Sequence, residues 1–463
     1  MSPSPAGPAG AIRRVLVPNR GEIAVRIVRA CHDLGLEAIV AHSEADRDGL
    51  AVRLADRAVC IGPPAAAASY LNGPAILAAA AALAVDAIHP GYGFLAENAA
   101  FARACDEAGI RFVGPRPEAI ELMGNKMAAR EAAARLGVPL VPGSGGAVEP
   151  KSAASVAENV GFPVIVKAAA GGGGRGMRLA RDAAELAGIV ADASAEAASA
   201  FGDGSVYIEK YLADARHIEI QVAFDEAGNG VHLGERDCTI QRRYQKLLEE
   251  APSPVVDPGT RAAMAEAALT LCRAAGYRGV GTVEMLFDRA SGAFYFIEMN
   301  TRIQVEHPVT ELVTGLDLVV LQLRVAAGEP LGLEQSDVEL RGHAIELRIN
   351  AEDPARGFAP AAGTLERWSV PAGPGVRVDS HAYPGYRIPP YYDSLIAKLV
   401  VWAADRPAAI GRARRALLEL DVAGVATTAP FHAWLLDQPA FVAAETSTGW
   451  AERAWASRLE AAA

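Results

Sequence analysis

The chain has 463 residues, 51% of them hydrophobic, and carries a net charge of −11 with a pI near 5.4. That length predicts about three domains, and the acidic balance excludes nucleic acid and an anionic membrane surface as partners. Five cysteines (31, 60, 105, 238 and 272) show no CxxC pairing, and the longest apolar run, Ala75–Val85, is too short to span a bilayer. A disulfide framework, a zinc site and a membrane helix are therefore not expected, and the chain reads as cytoplasmic.

In chain order, Met1–Gly10 is rich in Pro, Ala and Gly and reads as a disordered tail without the features of a signal peptide. Ile12–Pro18 is an apolar strand, followed by Asn19-Arg20-Gly21-Glu22 and helical periodicity over Ile23–Leu34. Further strands at Glu37–His42 and Val85–His89 complete a βαβ pattern, which predicts an open, mainly parallel sheet. The first turn holds a single Gly, so a dinucleotide fingerprint is absent. Val141–Pro150, rich in Pro, Gly and Ser, reads as a hinge into a small βαβ-like lid. From Ala213 to Asn300 the pattern is strands and hairpins. A helix follows at Asp317–Ala327, and a last segment opens with a strand at Gly342–Asn350 and finishes in helices.

Several strings carry chemistry. Pro163–Ala169 is a strand ending beside Lys167, followed by Gly171-Gly172-Gly173-Gly174-Arg175-Gly176. A formal G-x-G-x-x-G match is misleading here, because Met177-Arg178-Leu179 reads as a strand and a helix starts only after Asp182-x-x-Glu185. A Gly-rich flap between strands can instead lay backbone N–H groups over phosphates. Val280–Phe287 and Phe294–Asn300 read as a hairpin centred near Ser291, which places Glu284 opposite Glu298. Like charges so placed need a cation between them, and Asn300 adds a third oxygen, so this trio is a candidate Mg²⁺ or Mn²⁺ site. Glu298, Asn300, Arg302, Gln304 and Glu306 alternate, and an extended strand would put all five on one face. Glu235–Lys246 is so charged that a solvated loop is a reasonable expectation, with Cys238 a buried thiol. His217 and His343 sit in alternating strands and, on sequence alone, carry no role. Of the 44 basic residues, six are lysines (126, 151, 167, 210, 246 and 398) and 38 are arginines. Lysines kept in so arginine-biased a chain are enriched where a compact ammonium is required.

Gly91-Tyr-Gly-Phe-Leu-Ala-Glu-Asn98, Met123-Gly-Asn-Lys126, the Gly171–Gly176 flap, Glu235–Lys246, Glu298–Glu311, Arg348–Asp353 and Tyr391-Tyr-Asp-Ser394 together resemble the biotin carboxylase family of the ATP-grasp superfamily. The likeness runs from about residue 12 to about residue 450. It implies a mixed α/β fold: a Rossmann-like N-terminal domain (12–125), an ATP-grasp region (126–340) with a mobile lid (about 141–212), and a biotin carboxylase C-terminal domain (341–455), after a tail of residues 1–11. It further implies ATP binding by Lys126, Lys167, Gly172, Gly173, Gly174, Glu209, Lys210, Leu212, His217, Tyr244, Glu284 and Glu298. Metal would be held by Glu284, Glu298 and Asn300. Bicarbonate would meet Lys246, Arg302, Gln304, the Val305 backbone and the base Glu306, while Arg348 and Tyr92 would face biotin. Lys246, Arg302, Glu306 and Arg348 would be catalytic.

The implied activity is ATP- and bicarbonate-dependent carboxylation of biotin on a carrier protein or domain, the first half-reaction of an acyl-CoA or related carboxylase. A carboxyltransferase and a second copy of the chain are the other implied partners. No Met-Lys-Met occurs, so biotin is expected as a carried substrate attached elsewhere. Two positions depart from the family pattern. Tyr244 stands where many members have His, and Ala170 where the flap often begins with Gly. A different ATP-grasp ligase joining carboxylate to amine would explain Lys126, Lys167 and the metal pair, but not Arg302, Gln304, Glu306 and Arg348. A non-catalytic assembly subunit would be favoured by loss of a metal carboxylate, and none is lost.

Overall fold

The computed structural model describes residues 12–146, 148, 152–168, 178–201 and 204–462. The Gly171–Gly176 flap, with Gly172, Gly173 and Gly174, lies outside the described residues, as does the N-terminal tail.

The N-terminal region is a parallel sheet, as the βαβ pattern implies. It comprises β1 (Arg14–Val17), β2 (Glu37–Ser43), β3 (Arg57–Gly62), β4 (Ala87–Ile88) and β5 (Arg111–Phe112), in the order β3-β2-β1-β4-β5. β1 is buried along three of its four residues, and the helix Gly21–Asp33 packs its Ile23, Val25, Ile27 and Val28 into the core beside it. Such near-continuous apolar strands are what a sheet covered on both faces requires.

The expected lid is a separate small layer, but it is antiparallel and not βαβ-like. β6 (Val164–Ala168) pairs antiparallel with both β7 (Arg178–Ala180) and β8 (Val206–Lys210), and the helix Ala183–Phe201 covers them. Val164, Val166, Leu186, Val190, Val206 and Ile208 form a core of its own. The Pro/Gly-rich segment before it does not hang free: Val148 N–H bonds to Val206, and Ser144 N–H to Ile208.

The largest sheet has eight strands. It joins β9 (Ala215–Phe224), β10 (Gly230–Arg242), β11 (Gln245–Ala251), β12 (Gly279–Asp288), β13 (Phe294–Asn300) and β14 (His343–Asn350) to strands Leu395–Ala403 and Val376–Ser380. The order is β13-β12-β9-β10-β11-β14, then 395–403, then 376–380, with antiparallel neighbours throughout. Among the described residues no helix is long and apolar enough to cross a membrane.

Two expectations are corrected here. Glu235–Lys246 is not a solvated loop: it is most of β10 and the start of β11, with residues 235–241 buried. Arg243 and Tyr244 form the two-residue turn between Arg242 and Gln245, with φ of 47° and 64°. Two left-handed residues give a turn whose twist matches the strands, usually at Asn or Gly, so tight pairing here overrides local preference. Nor is 298–306 one strand. β13 ends at Asn300, Thr301–Glu306 is irregular, and the helix His307–Thr314 begins immediately after Glu306. The alternation was real, but the last three polar residues act from a loop and not from a strand face.

Buried Glu250 in β11 shows how the C-terminal layer is tied on. It accepts from Arg406 Nε at 2.6 Å and faces His343 Nε2 at 2.8 Å. Burial would raise this carboxyl, but His343 and Arg406 hold it at about 2, against an ordinary 4.5. The difference corresponds to about 3 kcal/mol of stability, present above the ordinary carboxylate range and lost as pH falls from about 4.5 towards 2. Glu250→Gln is accordingly expected to lower the urea midpoint strongly at neutral pH and by about half as much at about pH 3. An equal penalty at both pH values contradicts this linkage.

Candidate active site

Sheet register builds the site. Glu298 pairs with Glu284, Glu284 with Glu219, and Glu219 with Arg236. These four residues form one row across β13, β12, β9 and β10: three carboxylates, then an arginine. Three like charges abreast would push strands apart unless cations lie among them, and each carboxylate has one. Lys126 Nζ is 2.8 Å from Glu298. Lys246 Nζ reaches Glu219 at 2.6 Å, Glu284 at 3.0 Å and Glu306 at 2.5 Å. His217 Nε2 lies 3.0 Å from Glu284, and Arg236 Nε donates to Glu219 at 2.5 Å. Burial alone would push Glu284 up, but Lys246 and His217 hold it well below the usual carboxylate range.

The loop after β13 is fixed by bonds to this row. Gln304 Nε2 donates to Glu284 at 2.9 Å while its Oε1 accepts from Arg236 at 2.6 Å, and Asn300 Nδ2 donates to Glu284 at 2.8 Å. Arg302 bonds Asn300 Oδ1 and Glu97, each at 2.9 Å, reaching into the Gly91–Asn98 string. Glu306 is shared by two cations: Lys246 on one oxygen and Arg348 Nη2, at 3.0 Å, on the other. Burial would raise Glu306 as well; Lys246, Arg348 and Arg236 outweigh that and keep it ionised. Arg348 is itself steered by Glu249, which accepts from its Nε at 2.6 Å.

Glu284 and Glu298 are register partners and Asn300 follows two residues on, so the hard oxygen donors of the expected Mg²⁺ or Mn²⁺ site lie on adjacent strands, although here Asn300 Oδ1 accepts from Arg302 and Glu298 faces Lys126. Other expected ATP residues divide. Lys167 and Arg130 both ion-pair with Glu209 on the lid, Arg130 at 2.8 Å. The Lys210 ammonium instead bonds the carbonyls of Gly161 and Phe162, at 2.8 and 3.0 Å, which commits it to the lid backbone. Leu212 is half-buried beyond the end of β8, and Tyr244 is 60% exposed on its turn. Tyr92, half-buried, donates to Glu22 at 2.5 Å. Val305 offers its carbonyl to the ammonium of Lys398 at 2.9 Å.

Three residues were missed from sequence. Glu219 lies in His217-Ile-Glu-Ile-Gln221, a polar stripe of period 2 that could have revealed it beside Glu284. Arg236, fully buried, also bonds Gln221, Thr282 and Thr310. Lys398, fully buried, joins Glu22 at 3.0 Å to the Val305 carbonyl; the lysine bias singles it out, but nothing local in the sequence assigns it these partners.

A strand-built carboxylate row together with a separate small antiparallel layer is the arrangement expected of an ATP-grasp enzyme. The comparisons agree and narrow the class. Family profiles match as "Biotin carboxylase, N-terminal domain" over residues 11–120, "Carbamoyl-phosphate synthase L chain, ATP binding domain" over 125–334 and "Biotin carboxylase C-terminal domain" over 346–453. Biotin carboxylase of Nostoc sp. is 56% identical, covering 95% of this chain and 98% of its own, and biotin carboxylase 1 of Bacillus subtilis is 54% identical with the same coverage. A crystal structure of a Campylobacter jejuni biotin carboxylase–β,γ-ATP complex superposes with a TM-score of 0.92 at 47% identity, covering 96% of this chain and 100% of that one. The biotin carboxylase domain dimer of Hydrogenobacter thermophilus 2-oxoglutarate carboxylase, solved with MgADP, ADP and bicarbonate, gives 0.90 at 48% identity, covering 96% of this chain and 98% of that one. The chain belongs to the biotin carboxylase family.

Proposed function

We propose that this chain carboxylates biotin borne on a carrier protein or domain, using ATP and bicarbonate, and works with a carboxyltransferase as a homodimer. The observation that carries this reading is the convergence of Lys246 and Arg348 on Glu306, beside the Glu284–Glu298 pair. A generic ATP-grasp ligase needs the second feature but not the first.

Lys126, Lys167 and Arg302 neutralise the nucleotide phosphates, leaving positioning as the main catalytic task. Metal held by Glu284, Glu298 and Asn300 would supply further charge neutralisation there. Arg302, Gln304, Lys246 and the Val305 backbone orient bicarbonate, and Glu306 takes its proton. A bound anion drawing Lys246 and Arg348 towards itself loosens their hold on Glu306, which raises the basicity of that carboxylate when a proton must be accepted. Arg348 then stabilises the ureido oxygen of biotin as negative charge develops on it, with Tyr92 alongside. Carboxyphosphate is labile in water, so lid closure over the phosphates protects it.

ADP release is the direct test. It is expected to require bicarbonate, to rise on addition of free biotin and to stop when a chelator removes divalent metal. Turnover that free biotin does not raise, or no turnover at all, overturns the reading.

A further inference from the structure

Behind Arg348 lies a second carboxyl that the mechanism above leaves unused. Glu249 on β11 and Glu346 on β14 are register partners, and both are fully buried. Glu249 spends one oxygen on Arg348; its other oxygen and both oxygens of Glu346 have no hydrogen-bond partner. The helix His307–Thr314 seals this face with Val309 and Val313, packed against Ala251, Ala344 and Val400. The charged groups around Glu346 are Glu249 on β11, Arg348 on its own strand, Lys398 on the 395–403 strand and Glu306 at the helix start. Lys398 is already committed to Glu22 and the Val305 carbonyl, and Arg348 to Glu249 and Glu306.

Three orphaned carboxyl oxygens on adjacent strands are costly as two anions and cheap as one anion and one acid. We propose that Glu346 is a positioning residue that carries a proton and donates it to the free oxygen of Glu249, so that the pair presents one negative charge to Arg348. Burial pushes the Glu346 carboxyl well up, with Glu249 and Glu306 adding to it against Lys398 and Arg348. Arg348 Nη2 meets Glu249 and Glu306 together; one charge on the pair balances the guanidinium and still lets it exchange Glu306 for a ligand, whereas two charges would draw it back from the biotin side.

The inference rests on the reading of Arg348 as the group that meets biotin, so two readouts are needed. The first is the pH profile of kcat/KM for biotin, from about pH 6 to about pH 10. Wild type is expected to lose activity on the alkaline side as Glu346 ionises, and Glu346→Gln to lack that limb. Glu249→Gln, which loosens Arg348, is expected to raise the KM for biotin about tenfold. The second readout needs no turnover: the infrared band of a protonated carboxylic acid at neutral pH. It is expected in wild type and missing in Glu346→Gln. It is also expected to be missing in Glu249→Gln, where Glu346 becomes the counterion of Arg348 and gives up its proton, so the question survives if one variant does not fold. A band that persists in either variant, or an alkaline limb retained in Glu346→Gln, overturns the proposal. Absence of biotin-stimulated turnover in wild type overturns the functional reading instead and leaves the infrared result to decide the proton.

Discussion

Lys246→Arg is expected to lower bicarbonate-dependent ATP cleavage at least about a hundredfold, although the formal charge is unchanged. The Lys246 ammonium, only 12% exposed, sits at 2.5–3.0 Å from three carboxylates that approach from different directions. A compact group with three rotatable donors satisfies such a convergence. A planar fork two atoms larger satisfies two partners at most and must displace the third. Burial alone would lower the ammonium, but Cys238 and the carboxylates of Glu219, Glu284 and Glu306 raise it well above its usual range, so it stays charged throughout the working pH range. Steady-state ADP release, with the fold checked by circular dichroism, measures the effect. Near-normal turnover would show that charge alone suffices.

The second large effect is on stability. Arg236 is fully buried and bonds Glu219, Gln221, Thr282, Gln304 and Thr310. Arg236→Met keeps much of the apolar stem but leaves Glu219 with one fewer cation and four polar side chains without a donor. Breaking a buried pair in this way costs about 3–5 kcal/mol, so the denaturation midpoint is expected to fall sharply, and turnover with it because Gln304 loses its anchor. The double variant Arg236→Met/Glu219→Gln is expected to recover part of the stability, since the stranded charge is removed. No recovery would place the loss in packing and not in the ion pair.

The legible parts of the molecule were those governed by local periodicity. The parallel sheet followed from apolar strands alternating with an amphipathic helix, and the Glu284–Glu298 pair from hairpin symmetry, confirmed as register partners. The lysine bias drew attention to Lys126 and Lys246, both found on carboxylates of the row. Long-range placement was not legible. The Glu235–Lys246 stretch reads as a solvated loop because its charges have no neighbours in sequence; the partners of Arg236 come from β9, β12 and the 304–310 stretch. The lid's antiparallel pairing escaped because β8 lies some forty residues beyond β6. Residues 298–306 misled for a different reason: alternation of polar groups persists past Asn300, although the backbone no longer does.

The pairing of β11 with β14, Leu248 against Leu347 through Ala251 against Ala344, carries the large sheet across residue 340. Stretches of sequence matched by two different family profiles thus share a single hydrogen-bonded ladder. Expressing residues 126–340 alone would strip β11 of this neighbour and leave unpaired backbone groups along the Leu248–Ala251 edge. Such a fragment would self-associate through that edge. The boundary between the two profile matches and the edge of the sheet do not coincide, and truncations are better cut in the connections outside the sheet.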